Sequence, residues 1–142
     1  MISNHAKIFV GLDPGITTGY AIVDEGCTLI ESGNLLREDL MGSVLADIVC
    51  HPHATIIIED TPIPTRSAMN KELQEIVGDL TRLFPIRVTI APGVWKQPAI
   101  EALRFPIGSF PKPTPHQRDA YHLVVYYLMK EKIWTTETLS KR

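Results

Sequence analysis

The sequence lacks several features that would place it in a familiar class of protein. Its two cysteines, Cys27 and Cys50, form no CxxC pair, and we expect both to be free thiols in a reducing compartment. No apolar run is long enough to cross a membrane, and the opening MISNHAK has no apolar core of a secretion signal. These absences predict a cytoplasmic protein without a membrane segment.

A strong net charge is also missing, because 14 Lys and Arg face 16 Asp and Glu, for a formal charge of -2. The distribution is less even. From Arg82 to Arg118, six basic residues face a single acid, Glu101. A basic segment on a near-neutral chain can bind phosphate while acidic residues elsewhere hold metal ions, although scattered surface charges would give the same pattern.

The order of hydrophobic patterns predicts one α/β domain spanning residues 1–142. Strands are predicted at 7–12, 19–24, 27–33, 55–59 and 87–90, and helices at 39–50, 67–84, 94–103 (interrupted by Pro98) and 115–129. The resulting mixed five-stranded sheet has its first three strands antiparallel and later strands parallel, with helices flanking it. We expect a proline-rich loop at 105–115 and a flexible tail at 131–142.

Four side chains that can bind metals fall at the ends of these elements. Asp13 ends the first strand, Glu59 ends the isoleucine-rich strand, and His116 and Asp119 share one face at the start of the last helix. Taken singly, each has an ordinary explanation: a turn former, a strand leaving the core, a surface imidazole, or an acid favoured by the helix dipole. Together they predict a cluster at one edge of the sheet.

Such a cluster suits phosphodiester hydrolysis with two divalent ions. Carboxylates bind Mg²⁺ while leaving positions for water and phosphate, and an imidazole among them lets Mn²⁺ substitute. One ion activates the attacking water and the other stabilises the leaving oxygen.

Four segments resemble the motifs of the RuvC-like Holliday junction resolvases, a branch of the RNase H-like superfamily. They are GLDPGITTGYAIVD, IIIEDTP, APGVWKQ and HQRDAYHLVVYYL, in the family's order from about Lys7 to Leu128. The resemblance implies an RNase H-like fold and a crossover junction endodeoxyribonuclease that uses two Mg²⁺ ions, or Mn²⁺ in their place. It also implies a homodimer acting on four-way or other branched DNA, in a bacterium or a phage-infected host. It assigns no motor partner for branch migration.

Carried over residue by residue, the resemblance makes Asp13, Glu59, His116 and Asp119 the metal-binding tetrad. Lys96 becomes a catalytic residue that either contacts the scissile phosphate or stabilises the transition state. The chain departs from the family after Lys96, where a proline-rich segment replaces the usual Gly-x-Gly and second lysine. In that segment Arg104 or Lys112 is expected to take over the contact to DNA.

Further DNA contacts are expected at Arg118 and at Ile63. Ile63 lies in TPIPTRSAMN, which the resemblance places near the junction centre, where an apolar side chain can wedge between bases; an ordinary connector is the alternative. Trp95 either stacks on a base or packs beneath the basic loop. The resemblance implies that the helix at 67–84 forms the dimer interface, although its apolar stripe can equally be buried against its own sheet.

Other readings compete with junction resolution. The same chemistry on flaps, forks or RNA–DNA hybrids remains open because of the altered segment after Lys96, and so does a member that binds nucleic acid without cutting it. Actin-like ATPases also begin with Asp-x-Gly on a hairpin, but their fold needs two such domains, more than 142 residues can form. A zinc site at His51 and His53 lacks further ligands at a suitable spacing.

Overall fold

The computed structural model describes residues 5–40, 42–59, 71–91, 93–95, 97–99 and 115–131. The strands in these ranges are β1 (Ile8–Asp13), β2 (Thr17–Asp24), β3 (Leu29–Leu36), β4 (Ala54–Glu59) and β5 (Val88–Ile90). The main helices are α1 (Val44–Val49), α2 (Lys71–Leu83) and α3 (Pro115–Lys130). The expected loop at 105–114 and tail at 132–142 lie outside the described residues.

The strands form one mixed sheet in the order β3-β2-β1-β4-β5. β1, β2 and β3 pair as an antiparallel meander, whereas β4 pairs parallel with both β1 and β5. The predicted mixed five-stranded sheet is therefore confirmed, including the neighbouring positions of the first and fourth strands.

Helices cover both faces of this sheet, so its central strands are buried on both sides. In β1, Phe9 joins a core cluster with the apolar residues of α3. Val10 and Leu12 point the other way and join a second cluster with α1 and α2. Burial on both faces explains why β1 and β4 are continuously apolar in sequence rather than alternating.

Several predicted elements have shifted bounds in the structure, and two of these shifts have a clear physical reason. The helix expected at 39–50 is a 3₁₀ turn at Arg37–Asp39 followed by α1. It starts late because Ser43 caps it, with its Oγ accepting from the backbone N–H of Leu45 at 3.1 Å. β3 begins at Leu29 rather than at Cys27 because Cys27, with φ of 62°, still belongs to the turn after β2.

Helix α2 uses its apolar stripe within the domain. Ile76 and Leu80 are buried in the core cluster on its side of the sheet. Its more exposed face carries ion pairs from Arg37 to Glu75 at 2.5 Å and to Asp79 at 2.7 Å. The stripe is thus explained by packing within one chain.

Helix α3 lies unusually close to the sheet. A Cβ atom at Gly11, in β1, would fall 2.0 Å from the Ala120 carbonyl oxygen and 2.8 Å from Val124 Cγ2. Only a residue without a side chain permits this approach, which is a recognised use of glycine inside a strand. Gly11 therefore sets the height of α3 above β1.

We predict that Gly11→Ala destabilises the domain by at least about 2 kcal/mol, because the added methyl group must push helix backbone away from the sheet. Gly42→Ala is the matched control, since a Cβ there meets nothing within 4 Å, and its effect should stay within about 1 kcal/mol. Urea unfolding followed by circular dichroism measures both. Equal stability of the two variants would contradict the close packing of α3.

Candidate active site

The pairing of β1 with β4 brings Asp13 and Glu59 to the same edge of the sheet. The last parallel pair joins Leu12 to Ile58, and each acid follows directly in its strand. Because side chains alternate along a strand, both acids lie on the opposite face from Leu12 and Ile58, which is the face that α3 covers.

Glycines below the first turn of α3 seat His116 on this edge. Gly19 lies opposite Asp13 in the β1–β2 register, and a Cβ there would come within 2.4 Å of the His116 backbone carbonyl. A Cβ at Gly15 would lie 3.2 Å from His116 Cε1. The turn after Asp13 and the strand beside it therefore leave space that His116 fills.

His116 touches Asp13 directly. Its Nδ1 lies 2.7 Å from Asp13 Oδ2. When Asp13 is ionised its carboxylate only accepts hydrogen bonds, so Nδ1–H is then the donor. The Asp13 side chain is 21% exposed and that of His116 is 46% exposed. The two residues are 103 positions apart in the sequence, so only the fold brings them together. Both side chains are partly exposed, and a group from solvent can therefore reach them.

The pKa of Asp13 shows that Asp119 and Glu59 are close enough to act on its carboxylate. Burial is the largest cause that raises the pKa of Asp13, and the negative charges of Asp119 and Glu59 raise it further. The hydrogen bond and the charge of His116 oppose this rise without cancelling it. A carboxyl group whose ionised form is disfavoured by burial and by nearby negative charges is typical of functional sites.

Glu59 is held from the side by a turn that follows β5. Trp95 Nε1 donates to Glu59 Oε2 at 2.5 Å, and the Gly93 backbone N–H donates to the same oxygen at 3.4 Å. The sequence patterns did not indicate this contact. Trp95 itself is only 3% exposed, as the interpretation of it as a packed residue requires.

Of the five residues predicted to contact DNA, the structure describes one. Arg118 is exposed on the first turn of α3. Four others lie outside the described residues: Ile63, Lys96, Arg104 and Lys112. Within the described residues no helix is long and apolar enough to span a membrane.

The donor types at this edge fit a divalent ion. Three carboxylates supply the oxygen ligands that Mg²⁺ and Mn²⁺ prefer, and the imidazole suits a transition metal such as Mn²⁺ better than Mg²⁺. A cation would also offset the repulsion that raises the pKa of Asp13. In the described part of the chain, no group of three or more His, Cys, Asp or Glu is arranged to hold a metal. The fit therefore rests on donor type and charge.

Comparison with solved structures identifies the fold. A Thermus thermophilus RuvC in complex with Holliday junction substrate matches with a TM-score of 0.62 and 13% identity, over 89% of this chain and 96% of that one. A second Thermus thermophilus RuvC structure matches with the same score and coverage at 12% identity. The chain has the RuvC fold. This confirms the predicted RNase H-like architecture.

The RuvC fold is shared here at a sequence identity of only 13% and 12% with the two matched structures. No family model matches the chain, and no curated protein matches it. What the chain does with the RuvC fold must therefore be argued from its own residues.

We predict that Asp13→Asn raises the free energy of unfolding at about pH 7 by about 1 kcal/mol. Folding raises the pKa of Asp13, so its charge opposes folding above the folded-state pKa. This penalty disappears below the unfolded-state pKa, and the gain should vanish near pH 3. Urea unfolding at both pH values tests this, with exposed Asp47→Asn as control. A loss of stability at pH 7 would contradict the assigned balance of burial over the His116 contact.

Proposed function

We propose that this chain is a divalent-metal-dependent endonuclease that resolves Holliday junctions by paired symmetric nicks. The observation that carries the proposal is the contact of His116 Nδ1 with Asp13 Oδ2 at 2.7 Å, in a place where Asp119 and Glu59 also raise the pKa of Asp13. The RuvC fold adds support, since one of the matching structures is a RuvC in complex with Holliday junction substrate.

In this proposal Asp13, Glu59, His116 and Asp119 hold two Mg²⁺ ions, with Mn²⁺ able to replace them. When bound, such ions supply an activated water and stabilise the leaving oxygen of the phosphodiester. The protein side chains fix where this happens. Asp13 interacts electrostatically with the other three residues. Trp95 donates a hydrogen bond to Glu59, and the missing side chain of Gly19 leaves room for His116.

DNA binding in this proposal comes from basic residues outside the tetrad. Arg118 projects into solvent one residue before Asp119, where it can contact a phosphate beside the scissile one. Lys96 is assigned the contact to the scissile phosphate itself, and Arg104, Lys112 and Ile63 are assigned flanking contacts to the junction. Phosphate contacts supply most of the affinity for nucleic acid and weaken with salt.

A homodimer provides the two active sites that paired nicks require, and a two-fold axis matches the symmetry of the junction. Because Ile76 and Leu80 of α2 are already buried in their own domain, the more exposed face of that helix, with Glu75 and Asp79, is the part left to meet a partner. We place the whole activity in a single domain over residues 1–142, in the cytoplasm.

The test is cleavage of a labelled synthetic four-way junction in Mg²⁺ and, separately, in Mn²⁺. Linear duplex, flap, fork and RNA–DNA hybrid are run beside it at equal concentration. Paired symmetric nicks confined to the junction support the proposal. Equal cutting of flaps or hybrids would favour a broader structure-selective nuclease, which the altered segment after Lys96 makes the second candidate. Binding without cutting in either metal would overturn the proposed enzyme in favour of a non-catalytic binding protein.

We predict that Asp13→Asn lowers junction cleavage by more than about 100-fold, because it removes the central charge of the metal site. Junction binding in EDTA should stay within about twofold of wild type, since the basic contacts remain. Gel-shift titration and single-turnover cleavage measure the two effects. Exposed Asp47→Asn on α1 is the control and should cleave normally. Full cleavage by Asp13→Asn would refute the site.

A further inference from the structure

One metal-capable carboxylate is held by a side chain that no motif assigns to the site. The indole Nε1 of Trp95 donates to Glu59 Oε2 at 2.5 Å, and the Gly93 N–H donates to the same oxygen at 3.4 Å. Two donors from one short turn therefore converge on one oxygen of Glu59.

The donor on Trp95 is fixed by its surroundings. The ring is 3% exposed and belongs to the core cluster with Ile57 and Ala99. The Trp95 backbone carbonyl also accepts from the Ala99 N–H at 3.1 Å, which ties the turn to the helical residues 97–99. An indole held in this way is oriented before any ligand arrives, so no further ordering is needed on binding.

The shape of the turn depends on Gly93. Its φ of 78° lies in the left-handed region that side chains rarely adopt. This conformation lets a backbone N–H and the following indole reach the same carboxylate oxygen. The conformation of the turn is therefore the one that directs both donors at Glu59.

We propose that Trp95 is a positioning residue for Glu59, holding Oε2 so that the other oxygen, Oε1, is the one presented to a divalent ion. This inference rests on the proposed function of the site. Carboxylates that bind metals are commonly held by such outer partners, whose removal lowers metal affinity or activity by about 10- to 100-fold. Glu59 would then bind mainly through Oε1, because Oε2 already accepts from two donors, the indole N–H and the Gly93 N–H.

The first experiment compares the full chain with Trp95→Phe, which keeps an aromatic ring and removes the N–H donor. Calorimetric titration with Mn²⁺, without DNA, should show affinity lowered by about 10- to 100-fold. The Mg²⁺ concentration for half-maximal junction cleavage should rise in parallel, while junction binding in EDTA stays unchanged. A general loss of folding would not produce this separation between metal and DNA binding.

Tyr121→Phe is the matched control. It also removes one donor from a buried aromatic residue, because the Tyr121 hydroxyl donates to the Cys27 carbonyl at 3.2 Å in the core. That hydrogen bond does not involve the carboxylates. The control should therefore bind Mn²⁺ with wild-type affinity even where its stability falls.

A second readout leaves Trp95 in place and covers the case in which Trp95→Phe does not fold. The chain has two tryptophans, Trp95 and Trp134, so ¹H–¹⁵N NMR spectra contain two indole signals, and Trp134→Phe assigns them. Glu59→Ala should shift the Trp95 indole proton upfield through loss of its acceptor. Mg²⁺ should move this signal in the wild-type chain and leave it in place in Glu59→Ala.

The results separate the two levels of the argument. If the wild-type chain binds metal and cuts junctions but Trp95→Phe binds Mn²⁺ equally well, the role of Trp95 is refuted and the proposed function stands. An indole signal indifferent to both Glu59→Ala and Mg²⁺ has the same meaning. If the wild-type chain neither binds these metals nor cuts DNA, the proposed function fails and the role of Trp95 falls with it.

Discussion

The close approach of helix α3 to the sheet is the constraint on which the site depends. Gly11 and Gly19 have no side chains to hold the helix off, so backbone atoms of Ala120 and His116 come nearer than a Cβ would allow. This contact is a matter of steric packing and does not itself involve the metal-capable side chains. Without it, His116 would not reach Asp13, and the acids of two strands and one helix would not share one edge of the sheet.

The same approach makes the site electrostatically unfavourable. Burial beneath α3, together with the charges of Asp119 and Glu59, raises the pKa of Asp13 despite the His116 contact. The two apolar clusters on either face of the sheet supply the stability that tolerates this. Such local conflict is expected where residues are kept for function rather than for packing. A divalent cation is the simplest partner that would relieve it.

The hydrophobic pattern of the sequence predicted the strands and helices, whose formation depends mainly on neighbouring residues. Strands that are buried on both faces appear in the sequence as continuous apolar runs. The acids at the ends of these runs led to the prediction of a site at this edge of the sheet. Helix 39–50 was predicted too long because its apolar spacing continues through Gly42 and Ser43, where capping chemistry intervenes. The glycines in β1 and β2 carried a signal of close backbone approach that the hydrophobic pattern does not use.

Other parts of the site could not be predicted from the sequence. The contact of Trp95 with Glu59 joins residues 36 positions apart, and nothing in the spacing of either indicates the other. Helix α2 illustrates the opposite case, because its apolar stripe correctly predicted a buried face but did not indicate which surface that face packs against. The Trp95 contact and the packing of α2 both depend on how separate elements pack against each other. Local sequence patterns do not contain that information.

The account's central claim is that Asp13, Glu59, His116 and Asp119 form one metal site. Anomalous diffraction from crystals of the chain grown with Mn²⁺ tests it most directly. We predict strong manganese peaks beside Asp13, within ligand distance of Glu59 through one oxygen and of His116 or Asp119. Manganese bound elsewhere on the chain, with this edge of the sheet empty and the His116 contact to Asp13 intact, would contradict the account.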